Sequence, residues 1–234
     1  MNILAIDTSN QVMGVAVWKD GELKAEYTAN MKRNHSVGLM PSIDHIMRET
    51  NIMPSELDRI AVAKGPGSYT GVRIGLATAK TMAWTLQIPI VSVSSLELLA
   101  HNVSHQPHFI CPFFDARRGL VYTGLYQAKE GHISLVEKEQ NILLSTWLEQ
   151  VREKEQPVMF LSQDMSYHRD TIVRTMGDQA IFPSPALHIP RPGVLAYLAT
   201  FYEIADTHAL TPNYIRLVEA EANWLKEQER KQNG

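Results

Sequence analysis

The sequence has 234 residues with a formal net charge of −3; 44% of the residues are hydrophobic and 20% are charged. This composition indicates a soluble globular chain, long enough for one large domain or for two smaller ones that share a cleft. A protein that binds nucleic acid over a broad surface normally carries a basic excess, because its affinity comes largely from neutralising phosphates. Any role with nucleic acid is therefore expected to run through a partner.

The single cysteine excludes an internal disulfide. Cys111 lies in an apolar run at 109–114, so we expect a buried structural thiol and not a reactive nucleophile. No apolar run approaches the roughly 18 residues of a membrane span, and the N-terminus has the pattern of a first strand without a basic leader. We therefore expect a cytoplasmic protein that does not associate with membranes.

Apolar periodicity and turn residues predict the elements of the first half. They indicate strands at 2–6, 13–19, 22–28, 59–63 and 88–93, and helices at 36–49, 70–86 and 96–102. Asp20-Gly21 lies between two alternating runs and predicts a tight hairpin.

The second half repeats this order. The same patterns indicate strands at 109–115, 120–126, 132–137 and 158–161, a hairpin turn at Glu130-Gly131, and helices at 146–153, 165–175 and 194–205. The order β-β-β-α-β-α thus occurs twice, and the aspartates that end the two first strands, Asp7 and Asp115, stand 108 positions apart (115 minus 7). A period this long indicates domain duplication and not a solenoid.

We therefore predict an α/β fold with two lobes. The N-terminal lobe is predicted at 1–105 and the C-terminal lobe at 106–225, followed by a polar tail at 226–234. Duplicated units with an aspartate at the end of each first strand resemble the actin, sugar kinase and Hsp70 superfamily, in which the two aspartates face each other across a cleft and handle phosphate and metal. That resemblance makes Asp7, Thr8, Ser9 and Asp115 vestigial candidates for nucleotide contact. An aspartate that caps a turn after a strand is an equally good interpretation of each position.

The segment GPGSYTG at 65–71 joins a predicted strand to a predicted helix, where a glycine-rich loop often binds phosphate. Two phosphate-binding patterns fail here. The Walker A pattern needs lysine after its last glycine, but Val72 follows Gly71; the dinucleotide pattern needs its third glycine at the position of Thr70.

Small residues continue along the helix after this loop. Gly71, Gly75, Ala79 and Ala83 recur every four residues and form a ridge on one helix face. Each interior glycine costs about 1 kcal/mol relative to alanine, so the ridge predicts close packing of another backbone. Spacing alone leaves open whether that backbone belongs to this chain or to a partner.

Six motifs in order resemble the TsaB (YeaZ) family, and the resemblance covers nearly the whole chain. They are ILAIDTS at 3–9, HS at 35–36, LMP at 39–41, GPGSYTGVRIG at 65–75, DARRG at 115–119 and PNYIR at 212–216. The family is a non-catalytic scaffold that docks a homologous enzyme, TsaD. TsaD transfers a threonylcarbamoyl group to N6 of adenosine 37 in tRNAs that read codons starting with A.

The resemblance also implies the partners. A TsaD-like subunit docks on a helical bundle, the same surface pairs two copies of the chain when it is alone, and a TsaE-like ATPase completes the complex. Contact with tRNA is expected to be mainly indirect, and a nucleotide only at an interface with a partner. The implied partner-binding residues lie on the predicted helices 36–49 and 70–86 or directly before them: His35, Ser36, Leu39, Met40, Ile43, Met47, Tyr69, Gly71, Val72, Gly75, Leu76, Ala79 and Met82.

Catalytic residues are not apparent. The TsaD enzymes carry a His-x-x-x-His metal pair, and the corresponding positions here hold Ser95 and Leu99. His101 and His105 have similar spacing, but they are expected on the solvated surface at the end of a helix, without a metal. The alternative function is a free-standing ATPase or phosphotransferase that uses Asp7 and Asp115. A peptidase would need a metal or nucleophile that the sequence does not present.

Overall fold

The computed structural model describes residues 1–31, 34–129 and 132–215. Within these ranges the chain forms two five-stranded mixed sheets, one in each half of the sequence. The predicted turn at Glu130-Gly131, the predicted tail 226–234 and the end of the second predicted lobe, 216–225, lie outside the described residues.

The first half forms the predicted elements. In chain order they are β1 (Asn2–Asp7), β2 (Val12–Lys19), β3 (Glu22–Asn30), α1 (His35–Glu49), β4 (Arg59–Ala63), α2 (Tyr69–Leu86), β5 (Ile90–Val93) and α3 (Ser95–Ala100). The sheet order is β3-β2-β1-β4-β5, with β1 antiparallel to β2 and parallel to β4. Asp20 and Gly21 both have positive φ, 53° and 84°, as a two-residue hairpin requires, so the predicted hairpin is confirmed.

The second half repeats the arrangement. Its elements are β6 (Phe109–Asp115), β7 (Leu120–Lys129), β8 (His132–Leu143), α4 (Leu144–Arg152), β9 (Val158–Leu161), α5 (Met165–Met176), β10 (Ala180–Ile181) and α6 (Pro192–Leu198). The order β10-β9-β6-β7-β8 places β6 where β1 lies in the first sheet, antiparallel to the next strand and parallel to β9. The duplicated, two-lobed actin-like fold is confirmed.

Alternation along the buried central strand β1 separates two layers of core. Leu4 and Ile6 point to one face of the first sheet, where they pack with α1 and α2. Ile3 and Ala5 point to the other face, where they pack with α6. Both faces are buried because helices cover both, as mixed α/β sheets require.

The lobes exchange their outer helices. Helix α3 belongs to the first half, but Leu96 and Leu99 pack against the second sheet. Helix α6 belongs to the second half, but Leu195 and Leu198 pack against the first. The predicted boundary at 105/106 therefore lies between the two sheets in the sequence. Each packed lobe nevertheless contains a helix from the other half of the chain.

The predicted helix at 194–205 ends too late. Helix α6 ends at Leu198, and Ala205 instead donates its N–H to Ile90 O at 2.8 Å, which adds the chain to the edge of β5. The following residues, 206–215, run along α2, and we call them the strap. Lys80 Nζ of α2 donates to Leu210 O of the strap at 2.8 Å.

Among the helices of the described residues, none has the length and apolar character needed to cross a bilayer.

Candidate functional site

A cleft of about 770 Å³ lies between the two lobes, where the superfamily resemblance places a nucleotide. The β1–β2 turn contributes Asn10, α1 contributes His35, and the start of α2 contributes Ser68. The second lobe contributes Asp115 from the end of β6 and Asp164 from the segment after β9. The cleft is therefore lined by the carboxyl-terminal ends of equivalent strands, the usual ligand position of open α/β sheets.

The glycine segment lies against the β1–β2 turn. A Cβ on Gly67 would stand 2.1 Å from Ser9 O, and one on Gly71 would stand 2.2 Å from Thr8 O, both far inside the contact distance of real atoms. Ser68 N–H donates to Ser9 O, and Thr8 Oγ1 donates to Gly71 O, each at 2.7 Å. These glycines permit backbone-to-backbone packing, which engages the carbonyl of Ser9 and the hydroxyl of Thr8 within the chain.

Asp7 is buried beneath this turn. Its carboxylate is 2% exposed and accepts the N–H of Ser9 at 2.8 Å. Burial raises the pKa of Asp7 above its ordinary value, and the hydrogen bonds from Ser9 oppose that rise. The carboxylate therefore serves as a turn cap inside the lobe.

Asp115 occupies the equivalent place in the second lobe and is more accessible. Oδ2 of Asp115 accepts the N–H of Arg117 at 3.1 Å, the same i+2 turn bond that Asp7 makes with Ser9. Oδ1 lies 2.8 Å from Nε2 of His168, and the N–H of Asp115 donates to Oδ2 of Asp164. Burial first, and then the charge of Asp115, raise the pKa of Asp164.

Sequence reasoning missed His168 and Asp164. Asp164 comes three residues after β9, which lies parallel to β6. A predicted strand order would therefore have placed it near Asp115, at the same edge of the sheet. The sequence held no such signal for His168, which reaches Asp115 from the first turn of α5.

Most of the thirteen predicted partner-binding residues lie in the core of this chain. The buried ones are Leu39, Ile43, Met47, Gly71, Val72, Gly75, Leu76 and Ala79. Their placement corrects the prediction that the small-residue ridge faces a partner, because the ridge packs α2 onto β1 and its turn. Met82 is half-buried and also packs against this core.

The other predicted residues reach the surface or the cleft. Ser36, Met40 and Tyr69 are exposed, while His35 lines the cleft with Nε2 2.7 Å from Asn10 O. Two large exposed residues on the same helices were not predicted: Val37 is 69% exposed and Trp84 is 62% exposed.

An aromatic and cationic cluster at the start of α2 was also missed. The ring of Tyr69 stacks on Tyr214 of the strap at 5.5 Å, with 26° between the ring planes. The guanidinium of Arg73 lies 3.9 Å from the centre of the Tyr69 ring, and Arg73 Nε donates to the hydroxyl of Tyr214. The pairing depends on a contact between residues 141 positions apart, which sequence spacing cannot reveal.

The positions that correspond to the TsaD metal pair are structural here. Ser95 is buried and its Oγ accepts Gly65 N–H at 3.1 Å, and Leu99 is buried against the second sheet. His101, expected on the solvated surface, is instead half-buried, whereas His105 is exposed. Within 1–31, 34–129 and 132–215, no three His, Cys, Asp or Glu side chains are grouped as metal ligands.

Comparison with known proteins agrees with this two-lobed fold. The family model described as TsaD, tRNA N6-adenosine threonylcarbamoyltransferase, matches residues 22–224. The tRNA threonylcarbamoyladenosine biosynthesis protein TsaB of Bacillus subtilis is 50% identical over 228 residues, which cover 97% of this chain and all of that protein. A structure described as YeaZ from Pseudomonas aeruginosa superposes with a TM-score of 0.77 at 27% identity, covering 91% of this chain and 99% of that one.

The chain thus belongs to the TsaB family, a two-lobed actin-like branch that shares its domain with the TsaD transferases. One such transferase, from Chlorobaculum tepidum, is 27% identical over 77% of this chain but over only 46% of its own length. A second P. aeruginosa structure, with a TM-score of 0.78 at 27% identity over 92% of this chain and 99% of that one, is described as similar to peptidase YEAZ.

Proposed function

We propose that this chain is the scaffold subunit of a complex that forms N6-threonylcarbamoyladenosine at position 37 of tRNAs reading codons that start with A. It docks a TsaD-like transferase and supplies no catalytic group of its own. The name of the B. subtilis relative supports the pathway, and the shared domain of the TsaD transferases supports a homologous partner.

The state of the cleft supports a non-catalytic role. A phosphate-binding turn needs free backbone N–H groups, but in the turn after β1 the N–H of Ser9 donates to Asp7. Gly67 and Gly71 also pack closely against the carbonyl oxygens of this turn. Asp7 is buried under that turn and is held by Ser9. A nucleotide is accordingly expected only where a partner completes the pocket.

The exposed faces of α1 and α2 carry the docking proposal. The two helices lie side by side on one face of the first sheet, and they expose Val37, Met40, Tyr69 and Trp84 to solvent. We call these four side chains, together with the exposed α2 residues Arg73, Ala77 and Thr81, the α1–α2 face. A face formed by two adjacent helices with exposed Met, Tyr and Trp side chains is suited to packing against helices of another chain.

This surface would also serve a second copy of the chain when the transferase is absent. A TsaE-like ATPase would join the assembled pair, and tRNA would be held mainly by the transferase. These assignments follow the family resemblance and the negative net charge, which disfavours direct capture of RNA.

The test is reconstitution with the transferase of the same organism, tRNA and a threonylcarbamoyl donor. Modified nucleoside, measured by mass spectrometry, should rise strongly when the chain is added and should not form with the chain alone. Equal modification with and without the chain would contradict a scaffold role.

Matched variants locate the surface. Met40→Glu and Trp84→Glu each place a charge on the α1–α2 face and should weaken the heterodimer about tenfold or more in sedimentation or calorimetry. Phe201→Glu is the control, because Phe201 is 55% exposed and follows α6, on the opposite face of the sheet. If the control weakens binding and the two test variants do not, the docking surface lies at α6.

A further inference from the structure

We propose that Arg73 is a pre-organised docking cation that receives a carboxylate of the partner transferase. The inference rests on the proposed function and adds the chemistry of one contact. Tyr69 and Tyr214 hold the guanidinium, and the partner's aspartate or glutamate side chain binds its free end.

The side chain of Arg73 is exposed but held in place. Its guanidinium lies 3.9 Å from the centre of the Tyr69 ring and 5.6 Å from that of Tyr214. Arg73 Nε donates to the Tyr214 hydroxyl, which fixes the plane of the group. Both rings remain partly open to solvent, Tyr69 at 44% and Tyr214 at 41%. An arginine fixed in this way loses little further side-chain entropy when it binds.

The strap that supplies Tyr214 is itself anchored on both sides. Asn213 N–H donates to Lys64 O at 2.8 Å, and its side-chain amide donates to Oε2 of Glu139 at 3.0 Å. Lys80 Nζ donates to Leu210 O at 2.8 Å. Tyr214 is therefore a fixed support for the guanidinium, although it comes from a segment without regular secondary structure.

The free end of Arg73 is not neutralised. Among the described residues, Arg73 makes its side-chain hydrogen bond through Nε to Tyr214, and it forms no ion pair and no hydrogen bond through Nη1 or Nη2. The two terminal nitrogens are spaced to bind a carboxylate in a bidentate manner, the strongest geometry for this pair. The terminal nitrogens are therefore open to a carboxylate that a docked protein brings.

The position of Arg73 on α2 places it on the proposed docking surface. Arg73, Ala77, Thr81 and Trp84 are exposed and recur at i, i+4, i+8 and i+11, so they form one stripe of α2. A helix of the partner that lies along this stripe would contact both Trp84 and Arg73. Protein interfaces of this kind use Arg and Tyr as central contacts, and a desolvated carboxylate is the natural complement.

The experiment measures the dissociation constant of the heterodimer with the transferase of the same organism, at low and high salt. Arg73→Gln should weaken binding about ten- to a hundredfold and flatten the salt dependence. Arg73→Lys should recover only part of this, since it loses the planar stacking and the bidentate geometry. Tyr214→Phe keeps the ring and should weaken binding a few-fold.

A matched control and a charge exchange complete the test. Arg152→Gln removes an exposed arginine from α4 of the other lobe and should leave binding unchanged. Arg73→Glu should abolish tight binding, and one Asp→Lys or Glu→Lys substitution on the partner's docking helices should restore it. Circular dichroism and melting of each variant show that the fold is kept.

The other results separate the two proposals. If the wild-type chain forms no heterodimer, both the docking role and this inference fail. If the wild type binds and Arg73→Gln binds equally well with the same salt dependence, only this inference fails. If Arg73→Gln leaves the heterodimer intact but weakens a gel shift of tRNA by the chain alone, the cation serves RNA and the inference is overturned.

Discussion

Gly75 of α2 lies directly over Thr8 at the end of β1, and a Cβ on Gly75 would stand 2.5 Å from Thr8 Oγ1. The nearest clashing atom belongs to a side chain, so the conflict can be relieved from either residue. Thr8 is 1% exposed and its hydroxyl donates to Gly71 O, which ties the β1 end to the start of α2. The glycine is thus required by this chain's own packing.

This contact predicts the effect of Gly75→Ala. The added methyl should cost about 1–3 kcal/mol of unfolding free energy despite the better helix propensity of alanine. In the Thr8→Ala background the same substitution should cost less than half as much, because the atom it meets is gone. Urea unfolding of the four proteins gives the coupling energy, and strict additivity would contradict the packing account.

Gly67 and Gly71 should be less tolerant than Gly75. A Cβ at either position would meet a main-chain carbonyl oxygen, that of Ser9 or Thr8, which cannot rotate away. Gly67→Ala and Gly71→Ala should each cost roughly 3 kcal/mol or more, or prevent folding.

Gly38→Ala is the matched control for these substitutions. Gly38 lies in α1, where the new methyl would meet only the flexible end of Met13 at 3.3 Å. It should be neutral or stabilising by up to about 1 kcal/mol. Thermal and urea unfolding measure both effects; a loss at Gly38 equal to that at Gly67 would show that the glycines are sensitive for another reason.

The sequence sufficed for the duplicated fold, since periodicity and turn residues are local signals. The Asp20-Gly21 hairpin and the equivalent aspartates followed from a few adjacent residues each. Helix periodicity also identified the apolar stripe that contains Leu39 and Ile43. It could not say which stripe is covered by this chain and which by another, because both are apolar.

The candidate site could not be predicted in the same way, because it is formed by long-range contacts that the spacing of residues along the sequence does not encode. Spacing leaves open what packs on the ridge of small residues, and the family resemblance implies a partner there. The facing backbone is instead the turn after β1, more than sixty positions earlier. Arg73 and Tyr214 meet only because the strap returns to α2 after Ala205 pairs with β5. The predicted helix to Ala205 missed that return for the same reason.

Glu139 should be among the most sensitive polar residues in the chain. Its Oε1 accepts hydrogen bonds from the hydroxyls of Ser94 and Tyr126, and its Oε2 accepts one from Asn213. These donors come from the first lobe, from β7 and from the strap, so the carboxylate joins three parts of the fold. Glu139→Ala would leave all three donors without this partner and should cost about 3 kcal/mol.

Glu137→Ala is the control for that prediction. Glu137 also lies on β8, but it pairs with Lys154 while 43% of its side chain is exposed, so its loss should cost no more than about 1 kcal/mol. Urea unfolding compares the two, and hydrogen exchange follows residues 206–215. Faster exchange of that segment is expected only in Glu139→Ala; equal exchange in both variants would refute the joining role.

His101 should make the fold sensitive to mild acid. Burial lowers the pKa of this histidine from 6.5 to about 4, and its Nδ1 has no hydrogen-bond partner within the described part of the chain. The folded protein therefore binds fewer protons than the unfolded chain between pH 6.5 and 4, so stability contributed by the neutral ring is present above 6.5 and is lost as the pH falls.

The expected loss attributable to His101 is about 2 kcal/mol between pH 7.5 and pH 5. His101→Gln cannot gain a proton in this range, so its unfolding free energy should fall by that much less over the same interval. His105→Gln, four positions later and exposed, should keep the wild-type profile. Urea unfolding across this range decides the matter: because carboxylates titrate in all three proteins, only the difference between profiles reports the histidine, and parallel curves for His101→Gln and wild type would mean that the ring is solvated and protonates freely in the native state.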